Sequence, residues 1–377
     1  MISYWEKIAF TNYDLIVIGG GISGLFSALS FNKKKPNARI AILERDIFPN
    51  GASTKNAGFA CFGSISELIE DSIKMSELSL LNLVEKRVRG LELLKKTISQ
   101  KNLDLINNGG YELFFTQNQN LERSIEKYNK LLFPIFNKNI FSLKNEKIES
   151  LGFSKKIVKQ LIFNPFEAQI NTGTTIYELQ KLANQKGIKI ITGANVENFD
   201  LNSFDHEIHV SNFNSKISFK SKYLAICSNA FTKQWFPDYD INPGRGMVLI
   251  TKPIKNLKLK GCFHYNKGYY YFRDFQNRVL FGGGRQLDLK NENTTEFGIN
   301  KIIKKSLLND LDSIILPDTN YELDMEWSGI MAFGDTKQPI IKKIHKNAVM
   351  GVRLGGMGVA LGSLVGKEVS DLLLENS

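Results

Sequence analysis

The stretch YDLIVIGGGISGLFSALSFNKKKPNARIAILERD, residues 13–46, decides the fold class of this chain. It opens with a branched apolar run at 15–18, which has the length and composition of a buried strand. The glycines Gly19, Gly21 and Gly24 follow at once, in a G-x-G-x-x-G spacing. A strand followed directly by this spacing is typical of a phosphate-binding turn, although glycines also mark ordinary turns.

The residues after the turn complete the pattern. Residues 24–31 carry apolar side chains at helical spacing, and 40–43 is a second short apolar run. Glu44 closes that run about 20 residues after the last glycine of the turn. Strand, turn, helix, strand and acid in this order predict a dinucleotide-binding unit. The alternative is the same turn with no nucleotide.

Each part of the pattern has a physical reason. Gly19 permits the tight turn, Gly21 lets the backbone approach a pyrophosphate, and Gly24 lets the helix pack close to the sheet. The helix N-terminus offers unpaired N–H groups and the positive end of its dipole to phosphates. Glu44 can accept hydrogen bonds from ribose hydroxyls. We expect three neighbouring residues to lie against the same ligand: Ile22, Ser23 and Arg45.

Length and composition indicate a globular protein with two lobes. The chain has 377 residues, of which 42% are hydrophobic and 23% charged. No apolar run reaches the ~20 residues of a membrane span, and the first residues lack a signal-peptide pattern, so we expect a cytoplasmic protein. Three widely spaced cysteines predict neither a disulfide framework nor a zinc site, and we expect no metal: Cys61, Cys227 and Cys262.

The formal net charge is +11. A Lys-rich composition alone explains it, but an anionic substrate, RNA or the surface of an anionic membrane would also suit it. No basic stripe interleaved with aromatic residues stands out, which disfavours nucleic acid. A peripheral contact with a membrane is left open.

The spacing of apolar and turn-forming residues predicts the elements that follow. Residues 51–68 are a small, polar, glycine-rich loop, and the S-x-x-E sequence at Ser64 is a helix start. Helices are predicted at 68–98, as one or two, and at 174–185, with helix and connection over 119–160. The strands predicted before Pro243 are 111–116, 188–192, 195–199, 207–212, 216–219 and 223–227.

From Pro243 the spacing predicts a separate antiparallel sheet. The strands predicted there and beyond are 247–251, 262–265, 268–273, 278–282, 325–331, 340–344 and 348–352. A helical segment is predicted at 307–316. A second glycine turn follows at 353–362, before a last helix at 363–374.

Several further stretches stand in one order along the chain: GASTKNAG at 51–58, ICSNA at 226–230, PGRGMV at 243–248, YYYFR at 269–273, WSG at 327–329, Asp335, PII at 339–341 and the turn at 355–358. With the first fingerprint, this ordered set resembles the FAD-dependent D-amino acid oxidase superfamily, which includes glycine and sarcosine oxidases and D-amino acid dehydrogenases. The resemblance covers nearly the whole chain.

The resemblance implies an α/β fold in which a Rossmann-like FAD-binding domain of the glutathione-reductase type carries an antiparallel-sheet α+β substrate domain. The expected boundaries are 1–105, 165–235 and 325–377 for the FAD domain, with 106–164 and 236–324 for the substrate domain. We expect noncovalent FAD. The residues that the resemblance adds to its site are Ala52, Ser53, Thr54, Asn56, Ala57, Gly58, Val196, Ser228, Asn229, Ala230, Gly329, Gly355, Gly356, Met357 and Gly358.

Two positions depart from the superfamily pattern. After W-x-G, many amine-oxidising relatives carry an Arg-Pro pair whose Arg clamps the substrate carboxylate, whereas this chain has Met331 and Ala332. Near the start of the last glycine turn, Arg353 stands where His or a small residue is common. These departures concern the substrate more than the cofactor.

Five side chains are candidates for the substrate pocket. Tyr269 and Tyr271 share one face of a strand. Either their hydroxyls face the flavin, or their rings are part of a packed aromatic sheet. Arg285 and Arg353 could each bind an anionic group in a bidentate fork, or form surface ion pairs. Arg353 is the expected stronger anchor. Lys55 lies in the flavin loop and could polarise the ring or activate oxygen.

These observations predict an FAD-dependent oxidoreductase that oxidises an amine or amino acid by hydride transfer to flavin N5, with hydrolysis of the imine. Oxygen or a quinone would take the electrons. One alternative is a tRNA-modifying oxidase of the same superfamily, acting on a carboxymethylaminomethyl base. Another is a non-catalytic relative that keeps the fold and binds a partner protein.

Overall fold

The computed structural model describes residues 2–202, 204–212 and 215–375. Its helices are α1 (Tyr4–Phe10), α2 (Ile22–Lys34), α3 (Ala52–Lys55), α4 (Ile65–Lys74), α5 (Glu77–Thr97), α6 (Leu121–Phe136), α7 (Thr172–Gln185), α8 (Lys301–Asp310) and α9 (Gly358–Leu374). Its strands are β1 (Asn12–Ile18), β2 (Ile40–Leu43), β3 (Phe59–Ala60), β4 (Gly110–Phe114), β5 (Ser142–Leu143), β6 (Gln160–Asn164), β7 (Ala168–Gln169), β8 (Lys189–Ile191), β9 (Asn195–Asp200), β10 (His206–Asn212), β11 (Ser215–Ile226), β12 (Asn242–Thr251), β13 (Cys262–Tyr265), β14 (Tyr270–Phe275), β15 (Arg278–Gly283), β16 (Leu323–Phe333), β17 (Ile340–His345) and β18 (Ala348–Val352).

The first sheet has the strand order β17-β18-β11-β1-β2-β8, with the β9–β10 hairpin joined to β11. Strand β1 pairs in parallel with β2 and with β11, and β11 pairs in parallel with β18. Alternate residues of β1 face two different apolar cores, which is why its sequence is a continuous apolar run rather than an alternating one.

Helix α9 packs against both α2 and α5 over one face of this sheet. Its contacts depend on small residues. A Cβ at Gly366 would lie 2.2 Å from the carbonyl oxygen of Ser23 on α2, and a Cβ at Gly90 on α5 would lie 1.9 Å from the carbonyl oxygen of Ala360. The helices therefore approach each other more closely than side chains at these positions would permit.

The second sheet has the order β16-β12-β15-β14-β13-β4-β6-β5 and is antiparallel except between β4 and β13. One face packs under α8 through stacked aromatic rings. The rings of Phe263 and Phe272 lie 4.8 Å apart, and those of Tyr265 and Tyr270 lie 4.7 Å apart. The sheet is therefore anchored on that side, and its other face is available to line a site.

The predicted fold class, an α/β nucleotide-binding sheet with a second sheet, is confirmed. One detail of the prediction is wrong. The strands predicted at 216–219 and 223–227 are one strand, β11, because buried Ser221 keeps its pairing with Tyr13 and His206. Strand β16 pairs with β12 in the second sheet, although the predicted FAD domain resumed at residue 325. The domain boundaries themselves stay a prediction.

Candidate active site

A cavity of about 640 Å³ lies between the two sheets. At one end it is lined by the turn between β1 and α2, at the carboxyl edge of the parallel strands, where ligands of such sheets bind. At the other end it is lined by residues of β12, β14 and β16 from the open face of the second sheet. The cavity therefore joins the predicted nucleotide turn to the predicted substrate pocket.

The turn after β1 leaves room for a ligand. Helix α2 begins with Gly21, which has no side chain to cap the first N–H groups, and its first turn faces the cavity. Gly19 has φ +107°, and a Cβ there would lie 2.8 Å from the carbonyl oxygen of Cys227. Unpaired N–H groups at a helix start bind phosphates, so this end fits a dinucleotide. The predicted residues that line it are Gly19, Gly21, Ile22, Ser23, Glu44 and Arg45.

Two of the predicted residues at this turn also hold the turn itself in place. Gly24 does not line the cavity, and a Cβ there would lie 1.9 Å from the carbonyl oxygen of Gly19, so it is needed for helix packing. Glu44 lies beside the turn, and its Oε2 accepts a hydrogen bond of 2.9 Å from the N–H of Gly20. Burial raises the pKa of Glu44, while this hydrogen bond opposes the shift.

The loop at 51–58 is fixed between the two sheets. Ser53 Oγ accepts a hydrogen bond of 3.0 Å from the N–H of Ile22, and the carbonyl oxygen of Lys55 accepts one of 2.9 Å from Trp327 Nε1 on β16. The amide of Asn56 donates to the carbonyl oxygens of Ala52 and Ser53 and accepts from the N–H of Gly58. The loop residues that line the cavity are Ala52, Ser53, Lys55, Asn56 and Ala57.

Three residues that were predicted to contact the cofactor do not line the cavity: Thr54, Gly58 and Ala230. Thr54 turns away, and its hydroxyl donates to the carbonyl oxygen of Pro49. A Cβ at Gly58 would meet the carbonyl oxygen of Ile170 at 2.3 Å, so the position supports the loop from behind. Ala230 is fully buried. The other predicted residues do line the cavity: Val196, Ser228, Asn229, Gly329, Gly355, Gly356, Met357 and Gly358.

Tyr269 and Tyr271 both line the far end of the cavity, while Tyr270 lies on the other face against Tyr265. This is the alternation that the sequence predicts. The Tyr271 ring packs on Gly282, where a Cβ would lie 2.7 Å from its Cε2. Burial raises the pKa of Tyr271 to about 12, so its hydroxyl stays protonated at ordinary pH.

Arg285 also lines this end of the cavity, half-buried, with its guanidinium 4.1 Å from the ring centre of Phe333. No hydrogen-bond acceptor for its side chain is found in residues 2–202, 204–212 and 215–375. The nearby carboxylate of Glu292 is already bound by Arg245, with distances of 3.0 and 2.8 Å from Nε and Nη2. Burial lowers the pKa of Arg285, as expected for a cation without a counter-ion.

The structure corrects the role predicted for Arg353, which does not line the cavity. Its guanidinium donates to the side chain of Asp240, to the hydroxyl of Thr336 and to the carbonyl oxygen of Gln338. The backbone of Arg353 is left-handed, with φ +63°. Because its donors are engaged within the protein, Arg353 holds the loop beside the cavity and is not free to bind a substrate.

One buried histidine in the cavity wall is not among the residues predicted for the site. His264 on β13 lines the cavity, and its Nε2 lies 3.0 Å from Oε2 of Glu167. Burial alone would lower the pKa of His264, but the charge and hydrogen bond of Glu167 outweigh it and raise the pKa to about 9. The sequence places these residues about a hundred positions apart, so nothing in it signals the pair.

The part of the cavity wall formed by α4 is also not among the predicted site residues. Glu70 pairs with Lys267 at 3.5 Å, and Asp71 pairs with Lys337 at 2.6 Å. All four residues line the cavity. The S-x-x-E sequence predicts the start of α4 but not its neighbours, which come from distant turns. These ion pairs tie the helix across one side of the cavity.

Both the sequence and the fold of this chain are similar to those of known proteins. The sequence profile described as FAD dependent oxidoreductase (DAO) matches residues 14–372. Glycine oxidase from Geobacillus kaustophilus is 18% identical with a TM-score of 0.75, covering 97% of this chain and 96% of that one. L-proline dehydrogenase from P. horikoshii is 18% identical with a TM-score of 0.74, covering 97% and 94%.

Iminodiacetate oxidase (IdaA) from Chelativorans sp. BNC1 is 15% identical with a TM-score of 0.76, covering 96% of both chains. A comparison with curated protein sequences gives no match. Identities this low show the shared fold alone. The profile match spans nearly the whole chain. The chain therefore belongs to the DAO family of FAD-dependent oxidoreductases.

Proposed function

We propose that this protein oxidises the amine-bearing carbon of a small substrate that also carries a carboxylate, as an amino acid does. The observation that carries the proposal is Arg285. It is a half-buried cation in the cavity wall with no acceptor in the described part of the chain, beside Tyr269 and Tyr271. An unpaired charge in such a place is costly unless a ligand pairs it.

The cofactor of the family is FAD. The N-terminus of α2 would hold its pyrophosphate, and Glu44 would hold the adenosine ribose. The 51–57 loop and the 355–358 turn would lie along the rest of the molecule. When bound, FAD supplies the hydride acceptor of the reaction, and the protein supplies orientation and electrostatics.

Arg285 would orient the substrate through its carboxylate. The planar guanidinium can donate two parallel hydrogen bonds to the two carboxylate oxygens, and its stacking on Phe333 fixes the plane of that fork. Met331 has no donor and cannot replace the arginine that many relatives carry at this position. The anchor has in this view moved from β16 to the turn after β15.

The two tyrosines would hold the amine end. Because the hydroxyl of Tyr271 stays protonated, it can donate one hydrogen bond and accept another without changing charge. No side-chain base is then required if the amine arrives neutral. The oxidised product, an imine, would be hydrolysed by water.

Lys55 is the candidate for the reaction with the electron acceptor, which we propose to be oxygen or a quinone. It lines the cavity, and its Cβ would be 2.7 Å from a Cβ at Gly329 on β16. No carboxylate pairs with its ammonium group within the described ranges. A fixed positive charge here would stabilise negative charge that develops nearby.

The test is an anaerobic screen of the FAD-loaded protein against amino acids and the amines that result from their decarboxylation, read by loss of flavin absorbance. We expect bleaching by an amino acid and little or none by the matching amine. Arg285→Met should lower kcat/KM for the acid at least about a hundredfold, by the energetics of breaking a buried pair. Arg285→Lys should retain part of the kcat/KM that Arg285→Met loses.

Lys74→Met is the matched control, because Lys74 also lines the cavity but is exposed. It should change kcat/KM by less than about threefold, as expected for screened surface charges. Bleaching by no amine or amino acid would overturn the proposed reaction. Equal bleaching by acids and amines, with no effect of Arg285→Met, would overturn the carboxylate anchor while leaving amine oxidation in place.

A further inference from the structure

Helix α1 carries large apolar side chains that nothing in the described chain covers. Tyr4 is 70% exposed, Trp5 74%, Ile8 45% and Phe10 60%. Tyr4, Trp5 and Ile8 lie on one side of the helix, at i, i+1 and i+4, and the rings of the first two meet edge to face at 5.9 Å. Isolated apolar side chains are normal at a surface, but a grouped set of this size marks an interaction site.

The helix is held in place rather than left loose. Ser3 and Glu6 form a capping box at its start. At its end, the guanidinium of Arg39 donates a hydrogen bond of 2.8 Å to the carbonyl oxygen of Ala9. The hydroxyl of Thr11 donates a hydrogen bond to the carbonyl oxygen of Lys7. The apolar side is therefore presented to the outside from a fixed position on the first sheet.

Several cations lie at the edge of the first sheet that carries this helix. The helix leads into β1, whose first residue lies opposite Lys220 of β11, and helix α2 returns to the same edge of the sheet before β2 begins. Within the described residues, the following have no carboxylate partner: Lys7, Lys33, Lys35, Arg39, Lys220 and Lys222. Three acids of this edge are engaged, Glu6 in the capping box, Asp14 with the N–H of Arg39, and Asp371 with Lys34 and Lys367, while Glu207 on β10 lies opposite Lys220.

We propose that α1 docks the protein on the surface of an anionic phospholipid membrane. Tyr, Trp and Ile on one side of a short helix suit the boundary between headgroups and acyl chains, and the lysines around them suit anionic headgroups. Self-association fits less well, because a second copy would bring the same positive edge and a net charge of +11 with it.

The edge of the first sheet that carries α1 lies opposite the cavity. Strand β1 starts next to α1 and ends at the turn that lines the cavity. Its seven residues place α1 about 20 Å from that turn. A protein seated on α1 would keep the cavity turned away from the lipid. Docking would therefore set location without closing the cavity to soluble substrates, and it is independent of the proposed reaction.

The test is sedimentation of the FAD-loaded protein with vesicles of phosphatidylcholine alone, and of phosphatidylcholine with phosphatidylglycerol in equal parts. We expect binding to the second and not the first, weakening as salt rises. Tyr4→Ser with Trp5→Ser should lower the partition coefficient at least tenfold. Lys33→Gln with Lys35→Gln should lower it about fivefold per charge.

Two control variants remove similar groups elsewhere. Ile73→Ser with Leu78→Ser removes exposed apolar side chains on α4 and α5, and Lys86→Gln with Arg89→Gln removes two cations from α5. Both should bind vesicles as the parent does. Absence of binding to anionic vesicles, equal binding by the Tyr4/Trp5 variant, or a parent dimer that this variant converts to a monomer would each overturn the proposal. The last result would identify a second copy as the occupant.

Discussion

The carboxylate of Glu44 accepts a hydrogen bond from the N–H of Gly20, a residue 24 positions earlier in the chain. The acid that closes the second strand thus touches the turn that follows the first. Since Gly20 and Glu44 both line the cavity, the residue predicted to bind the adenosine ribose also shapes the phosphate end of the site.

The first prediction concerns Glu44→Ala. Loss of one or two charge-assisted hydrogen bonds, each about 1.5–3 kcal/mol, should weaken FAD binding tenfold or more. Reconstitution of the apoprotein followed by flavin fluorescence measures this. Asp46→Asn is the control, because it leaves the backbone N–H of Asp46 on Glu44 in place and changes a side chain that pairs with Arg45 at the surface. Unchanged affinity in Glu44→Ala would contradict the assignment.

The second prediction separates the two arginines. Arg353→Met should lower the free energy of unfolding by about 2–4 kcal/mol, because it removes the guanidinium that pairs with the Asp240 carboxylate and donates to the carbonyl oxygens of Asp240 and Gln338. Urea unfolding of the holoprotein measures it. Arg285→Met should leave stability within about 1 kcal/mol and act on kinetics instead. The reverse pattern would show that Arg353 is the anchor after all.

The third prediction concerns pH. Because the pKa of His264 is raised from 6.5 to about 9, its pairing with Glu167 stabilises the fold fully below pH 6.5 and is lost as pH rises through 9. Stability should fall over that window by an amount on the order of 1–3 kcal/mol, and His264→Gln should remove the fall. Thermal unfolding across this range tests it. His209→Gln, which removes an exposed pair, should leave the slope unchanged.

The fourth prediction concerns the tyrosines. Tyr271→Phe should lower kcat/KM roughly tenfold by removing one hydrogen bond to the substrate. The parent enzyme should show no titration of this hydroxyl below pH 11, since burial raises its pKa to about 12. Tyr270→Phe is the control on the opposite face, where the hydroxyl has only a long contact with Ser306. Equal effects of the two changes would argue against a site role.

The fifth prediction concerns Gly90 and runs against helix propensity. Ala is favoured over Gly inside a helix by about 1 kcal/mol. Gly90→Ala should nevertheless destabilise the protein, by about 1–3 kcal/mol, because the new methyl group would overlap the backbone of α9. Gly173→Ala in α7, where a Cβ meets only an ordinary contact, should be neutral or stabilising. Chemical denaturation of both variants compares them directly.

The glycine turn that lines one end of the cavity could be predicted from the sequence because its determinants are local. The turn at 19–24 and the strand that ends in Glu44 need only neighbours in the chain to be recognised. The sequence also predicted that Tyr269 and Tyr271 share a face, since that follows from the period of a strand. It failed for Arg353, whose partner Asp240 lies more than a hundred residues away. It does not indicate the pairing of His264 with Glu167 or the stacking of Arg285 on Phe333, because these partners come from other elements.

The first sheet places β1 beside β11 and β11 beside β18, so strands from the beginning, middle and end of the described chain are neighbours. During synthesis on the ribosome, β18 and α9 emerge after every other element of that sheet. Until they do, the edge of β11 and the apolar side of α2 have no cover, and the nascent chain is exposed to aggregation. A truncation before Ala348 would therefore yield a chaperone substrate rather than a shortened enzyme.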